Sequence, residues 1–228
     1  MNTGMRGYGA TVDSPMLFNL ENYGCWCQGD LLTQGHGAFQ DDFDKICYHK
    51  YRGLECLYMD SVEQGDPCDL ENVTYGFETE IIYDGATPVQ IVFSCEDENQ
   101  ATFCSRNKCL IELRAMLDYQ KFTATHYYPD IETFGHIGFF EGRGTFDPSK
   151  ANCEIGGPGI EKIDKECCGE FPFRNYFYHD VVNSKECCEY EVESVQQEWN
   201  DQTLLVGRSY NTAVDVCCAT GVFSAGTC

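Results

Sequence analysis

An α+β, disulfide-rich fold is predicted by three features of this 228-residue chain: sixteen cysteines at an even count, two segments with apolar residues at helical spacing, and an alternating run between them. The first helical segment, FQDDFDKICYHKYRGLECLYMD, opens on Asp residues that complement the positive end of a helix. It then sets Phe43, Cys47, Leu54 and Leu57 on one face. In TYGFETEIIYDGATPVQIVFSC the residues alternate, break at Asp84-Gly85 and alternate again, the pattern of a β-hairpin. The second helical segment, NQATFCSRNKCLIELRAMLDYQ, carries Phe103, Cys109, Leu110, Leu113 and either Met116 or Leu117 on one stripe. From Cys153 onward helix signals are scarce and CC pairs recur at 167/168, 187/188 and 217/218. Adjacent cysteines do not easily bond to each other, so each pair ties its backbone to two different places, and a small loop-rich β module is expected.

A hydrophobic content of 43% with 14% aromatics supports packed cores. The cysteines occur as C-x-C once and CC three times, with no C-x-x-C, a spacing that points to disulfides and an oxidising compartment rather than to structural zinc. No stretch reaches the ~18 apolar residues of a membrane span, and the opening MNTGMRGYGATVDSPM lacks the apolar core of a secretory signal. Residue 1 is therefore expected to be a processed terminus. The sequon Asn72-Val73-Thr74 marks Asn72 as a glycosylation acceptor in a secreted protein.

Eight cysteines fall in residues 25 to 109 and eight in residues 153 to 228, with none between. Two separately cross-linked domains are expected, 1–122 and 153–228. The aromatic and glycine-rich segment 123–152 should be a packed connector rather than a free linker. Net charge is −22, from 15 basic and 37 acidic residues. Binding nucleic acid or an anionic membrane requires Lys and Arg against phosphates, so both are poor partners. Divalent cations, basic proteins or a mineral surface suit the charge better.

The run Tyr23-Gly24-Cys25-Trp26-Cys27, followed by a glycine-rich loop and the Asp-rich helix start, resembles secreted phospholipase A2 over roughly residues 8–122. That resemblance implies two long antiparallel helices with a β-hairpin wing. Carried over residue by residue, it implies disulfides Cys27 to Cys47, Cys56 to Cys109 and Cys95 to Cys104. Ile46 and Met116 stand where the family pairs two further cysteines.

The family's chemistry needs a His base, an adjacent Asp that ligates calcium, and a second Asp orienting the imidazole. Alignment on Cys47 without a gap puts Lys50 and Tyr51 at the catalytic pair; a one-residue gap puts His49 and Lys50 there. Leu110 stands at the orienting Asp. No catalytic residue is assigned, and these four positions read as degenerate. A Lys ammonium in the metal position repels calcium and can take its place. Asp30, Asp41, Asp42 and Asp44 remain as candidate weak cation contacts away from the family's site, although their spacing fits no EF-hand pattern and a helix N-cap role suits them better. No cofactor is expected.

Cys167-Cys168-Gly169 followed by an aromatic-Pro element, a second CC, then Tyr210-Asn211 ahead of Cys217-Cys218 and a closing Gly226-Thr227-Cys228 resemble the dicysteine repeats of galaxin-like extracellular matrix proteins. That resemblance covers about 153–228 and implies structural or mineral-associated components without a catalytic site. The aromatic run FPFRNYFYHD is expected to be buried in this module.

The reading that joins these features is a secreted, catalytically inactive phospholipase-like structural protein of an extracellular matrix, filament or biomineral-associated assembly, partnered by itself or by other matrix proteins. The alternatives are a calcium-dependent secreted phospholipase A2 and a soluble lipid- or protein-binding effector.

Overall fold

A computed structural model describes residues 22–23, 25–28, 39, 42–85, 87–95, 101–125, 162–180, 185–193 and 203–228. Among them the fold is α+β: two helices and five antiparallel two-stranded sheets, cross-linked by seven described disulfides. The chain divides into two compact units, residues 1–51 with 114–158, and Arg52–Leu113 with Gly159–Cys228.

In the first unit, β1 (Asn22–Tyr23) pairs with β2 (Cys27–Gln28) around a turn at Cys25 and Trp26. Helix α1 (Asp42–Glu63) begins in this unit. Its first turn supplies Asp44, fully buried, whose Oδ2 accepts the Cys25 N–H (3.0 Å) and whose Oδ1 accepts the Trp26 N–H (2.8 Å). Cys27 is bonded to Cys47 one turn further on. Trp26 then packs edge-on against Tyr48 at 4.7 Å and tilted against Tyr51 at 6.5 Å.

In the second unit α1 runs on to a glycine stop. Gly65 has φ +80°, Gly65 N–H donates to Val62 O (3.0 Å) and Asp66 N–H to Ser61 O (3.0 Å), the paired bonds that close a helix around a left-handed residue. The buried Ser61 hydroxyl accepts the Cys68 N–H at 2.9 Å, which folds the following loop back on the helix. Strands β3 (Phe77–Asp84) and β4 (Thr87–Cys95) form the hairpin, turning at Gly85 with φ +63°. Helix α2 (Phe103–Thr125) starts where Thr102 and Ser105 cap each other: Ser105 N–H donates to Thr102 Oγ1 (3.1 Å) and Thr102 N–H to Ser105 Oγ (2.9 Å). Cys109, Ile111, Leu113 and Leu117 are the buried apolar positions described on α2; Phe103 is exposed and Leu110 and Met116 are half-buried. The expected stripe is thus displaced toward Ile111. On α1, Leu54 and Leu57 are buried and Cys47 is half-buried, while the side chain of Phe43 lies outside the described residues.

The dicysteine region is three hairpins: β5 (Lys162–Cys168) with β6 (Asn175–Asp180), β7 (Lys185–Glu193) with β8 (Thr203–Asn211), and β9 (Asp215–Cys218) with β10 (Gly221–Ser224). Each CC pair sits on the first strand of its hairpin, and consecutive strand residues point to opposite faces. One cysteine therefore bonds backward and the other forward: Cys56 to Cys167, Cys168 to Cys187, Cys188 to Cys217, and Cys218 to Cys228. A continuous covalent ladder results. The Tyr-Asn pair has a local role in it. Tyr210 lies opposite Glu186 and donates to its Oε2 (3.1 Å), and Asn211 Oδ1 accepts Ala213 N–H (3.0 Å) to turn the chain into β9. Gly169 (φ +87°) and Gly207 meet backbone to backbone, so a Cβ on Gly207 would lie 2.2 Å from Gly169 N.

Three expectations are corrected. Cys56 bonds Cys167, not Cys109, because it shares its helix stripe with residues that face β5 and β6. Cys95 bonds Cys109, not Cys104, and Cys104 bonds Cys68. Positions 104 and 109 are about 140° apart around a helix, so they face different neighbours. The two cysteine-rich halves are not separately cross-linked, since Cys56 to Cys167 joins them. The connector 123–152 lies outside the described residues from 126 onward.

Candidate functional site

Among the described residues of the second unit, a cluster of specific interactions joins α1 to the β5–β6 hairpin. Arg52, Glu55, Cys56, Met59 and Asp60 recur at the i, i+3, i+4, i+7, i+8 spacing of one helix face. Arg52 stacks on Tyr176, its guanidinium carbon 4.6 Å from the ring centroid, and donates to Tyr176 O at 2.9 Å. Glu55 pairs with Lys165, whose ammonium also lies 4.9 Å from the Tyr176 ring and 5.7 Å from Tyr178. Cys56 is bonded to Cys167, and Met59 Sδ is 3.9 Å from Cys167 Sγ. Asp60 receives a two-pronged grip from Arg174, Nε to Oδ2 at 2.7 Å and Nη2 to Oδ1 at 3.0 Å, while Nη1 reaches Gly169 O at 2.7 Å. Gly53 adds close approach: a Cβ there would lie 3.3 Å from Ile111 and 3.4 Å from Arg174 O.

Burial lowers the Lys165 pKa, and the neighbouring Arg52 cation lowers it further. The Glu55 carboxylate is in direct contact with the Lys165 ammonium. The aromatic run is absorbed by this seam, with Tyr176 and Phe177 buried. The periodic signal for it was present in the sequence, but it consists of charged and sulfur side chains, which a search for apolar stripes passes over.

A second interior feature is Lys108, which is buried. Its ammonium donates to Leu70 O (2.8 Å) and Val73 O (3.1 Å) and lies 6.0 Å from the Tyr75 ring, tying the 69–73 loop to α2. Tyr75 in turn donates its hydroxyl to Glu112.

His49, Lys50, Tyr51 and Leu110, the positions read as degenerate, lie on the two helices. His49 is half-buried, with its ring edge-on to Tyr48 at 5.3 Å, and Tyr51 belongs to the Trp26 cluster. Lys50 is half-buried on α1 and Leu110 half-buried on α2. Of the candidate cation contacts, Asp42 is exposed in the first turn of α1, and Asp30 and Asp41 lie outside the described residues. Asp44 is corrected: it is buried, and its two carboxylate oxygens accept backbone N–H groups, which makes it a clamp on the Cys25-Trp26 turn. Among the described residues no group of three or more His, Cys, Asp or Glu is placed to hold a metal ion.

The disulfides fit a secreted or extracellular protein, and no helix among the described residues is long and apolar enough to cross a membrane. Compared with known proteins, the chain matches no family model, no curated protein and no solved structure.

Proposed function

We propose that the chain is a secreted, non-enzymatic structural protein of an extracellular matrix, filament or biomineral-associated assembly. In this reading a phospholipase-like pair of antiparallel helices serves as a frame, and a galaxin-like dicysteine module is built onto it. The observation that carries the proposal is the ladder from Cys56 through Cys167/Cys168, Cys187/Cys188 and Cys217/Cys218 to Cys228, which converts three hairpins and a helix into one cross-linked body. Two-stranded hairpins are marginal alone in water, so covalent staples are what such a body needs.

Two further features support the reading. Asp44 commits its carboxylate to backbone, and the charged and sulfur stripe of α1 is committed to a joint with the Tyr176 hairpin. The acidic surface suits divalent cations, basic matrix proteins or mineral as partners.

The test is hydrolysis of phospholipid vesicles by the oxidised protein with and without calcium, alongside its assembly state by light scattering and electron microscopy. The expected result is no calcium-dependent release of fatty acid, together with regular assemblies as concentration rises. Calcium-dependent turnover would return the enzyme reading, and a monodisperse monomer at all concentrations would favour a binding effector.

A further inference from the structure

The loop after α1 and the start of α2 enclose a cleft of about 360 Å³ whose wall includes Gln64, Asp66, Asp69, Asn72 and Phe103. We infer that this cleft is a cradle for the first sugars of an N-linked glycan carried by Asn72. Four observations meet there. Asn72 and Thr74, the two chemical ends of the sequon, are exposed. Asp69 orients the acceptor: its Oδ2 accepts the Asn72 Nδ2 hydrogen bond at 2.8 Å and its Oδ1 the Asn72 N–H at 3.2 Å. Lys108 fixes the same loop from beneath through the carbonyls of Leu70 and Val73. Phe103, exposed, is braced edge-on by Phe171 at 6.4 Å, which leaves an aromatic surface in a wall that also carries the carboxamide and carboxylate groups of Gln64, Asp66 and Asp69 beside Pro67 and Val73. An apolar ring for sugar C–H groups beside polar groups for hydroxyls is the mixed surface that a carbohydrate requires.

The modification itself draws on a glycosyl diphosphate donor of the secretory pathway. The bond between the anomeric carbon and the diphosphate oxygen breaks, the bond from that carbon to Asn72 Nδ2 forms, and the amide proton leaves to balance the departing diphosphate. One amide hydrogen remains on Nδ2, so the bond to Asp69 survives the modification. The Asn72 hydrogen bonds also hold the Asp69 carboxyl below the ordinary carboxylate range. This inference does not depend on the structural role proposed above.

To test it, the full chain is secreted from a eukaryotic host and treated with peptide N-glycosidase in heavy-oxygen water, which converts a glycosylated Asn72 to a labelled Asp. Release is timed on native and on denatured protein. The expected result is a glycan on Asn72, released more slowly from the native protein. Phe103→Ala should speed native release by roughly two- to tenfold, the effect of losing one aromatic contact, and leave denatured release unchanged. Gln64→Ala, at an exposed position of the same cleft, serves as a second variant should Phe103→Ala not be secreted, with the same direction expected. An unmodified Asn72, or native release that neither variant accelerates, would overturn the inference.

Discussion

In the helical part of the second unit the largest fully buried side chains are Leu54, Leu57 and Ile111, beside the smaller Cys56 and Ser61, whereas in 162–228 the fully buried side chains are Cys168 and Cys188. The first part gains from aliphatic burial, at roughly 1.5–3 kcal/mol for each such side chain. The second has three hairpins that share little apolar interior, and its stability must come largely from restricting the unfolded chain. By loop-closure arguments, bonds spanning 19, 29 and 10 residues contribute about 3 kcal/mol each. Neighbouring segments of one unit are therefore held by different physics, and the α1 seam is where the two meet.

The comparison breaks most readily under reduction. With reductant and no denaturant, amide exchange should lose protection throughout β5–β10 while the 52–63 stretch of α1 retains more. Equal loss in both would mean that the dicysteine region relies on the helical frame rather than on its own ladder. Gly207→Ala should cost about 4 kcal/mol or more, read as a lowered melting temperature, because the new Cβ meets backbone at 2.2 Å and nothing there can rotate away.

Arg174→Ala should cost about 2–4 kcal/mol by removing the two-pronged partner of a largely buried Asp60. A double-mutant cycle with Asp60→Ala should give a coupling of at least about 1 kcal/mol; additive losses would mean that the seam is held by Cys56 to Cys167 alone. The smallest effect concerns acid. Hydrogen bonds from Asn72 hold the exposed Asp69 below the ordinary carboxylate range. Its contribution is present above the unfolded value and is lost as the pH falls through the lowered one. Asn72→Ala should therefore raise the Asp69 pKa by NMR titration, and an unchanged value would remove this part of the account.

Much of the local order was legible before any coordinates. Asp84-Gly85 marks the hairpin because only a residue tolerant of positive φ turns there, and the adjacent cysteines announce bonds to two places because strand side chains alternate. The partners of Cys56, Cys95 and Cys104 were not legible. Cys104 and Cys109 differ in direction by where the Thr102 cap starts the helix, a matter of one or two residues that periodicity does not resolve. Asp44 reads as a surface cap or cation contact because nothing local tells that a turn eighteen residues earlier presents two N–H groups to it. The seam escaped because its stripe is charged, and Lys108 because a buried lysine becomes sensible only once the carbonyls of the 69–73 loop surround it.

The most direct measurement is disulfide mapping of the unreduced protein. Trypsin should leave Glu166–Arg174, which holds Cys167 and Cys168, as a separate peptide between Gly53–Arg106 and Glu186–Arg208. The account predicts one cluster in which this short peptide is bonded to both neighbours, with partial reduction and fragmentation assigning Cys56 to Cys167 and Cys168 to Cys187. A Glu166–Arg174 peptide bonded only to C-terminal partners would contradict the ladder and return the chain to two separately cross-linked halves.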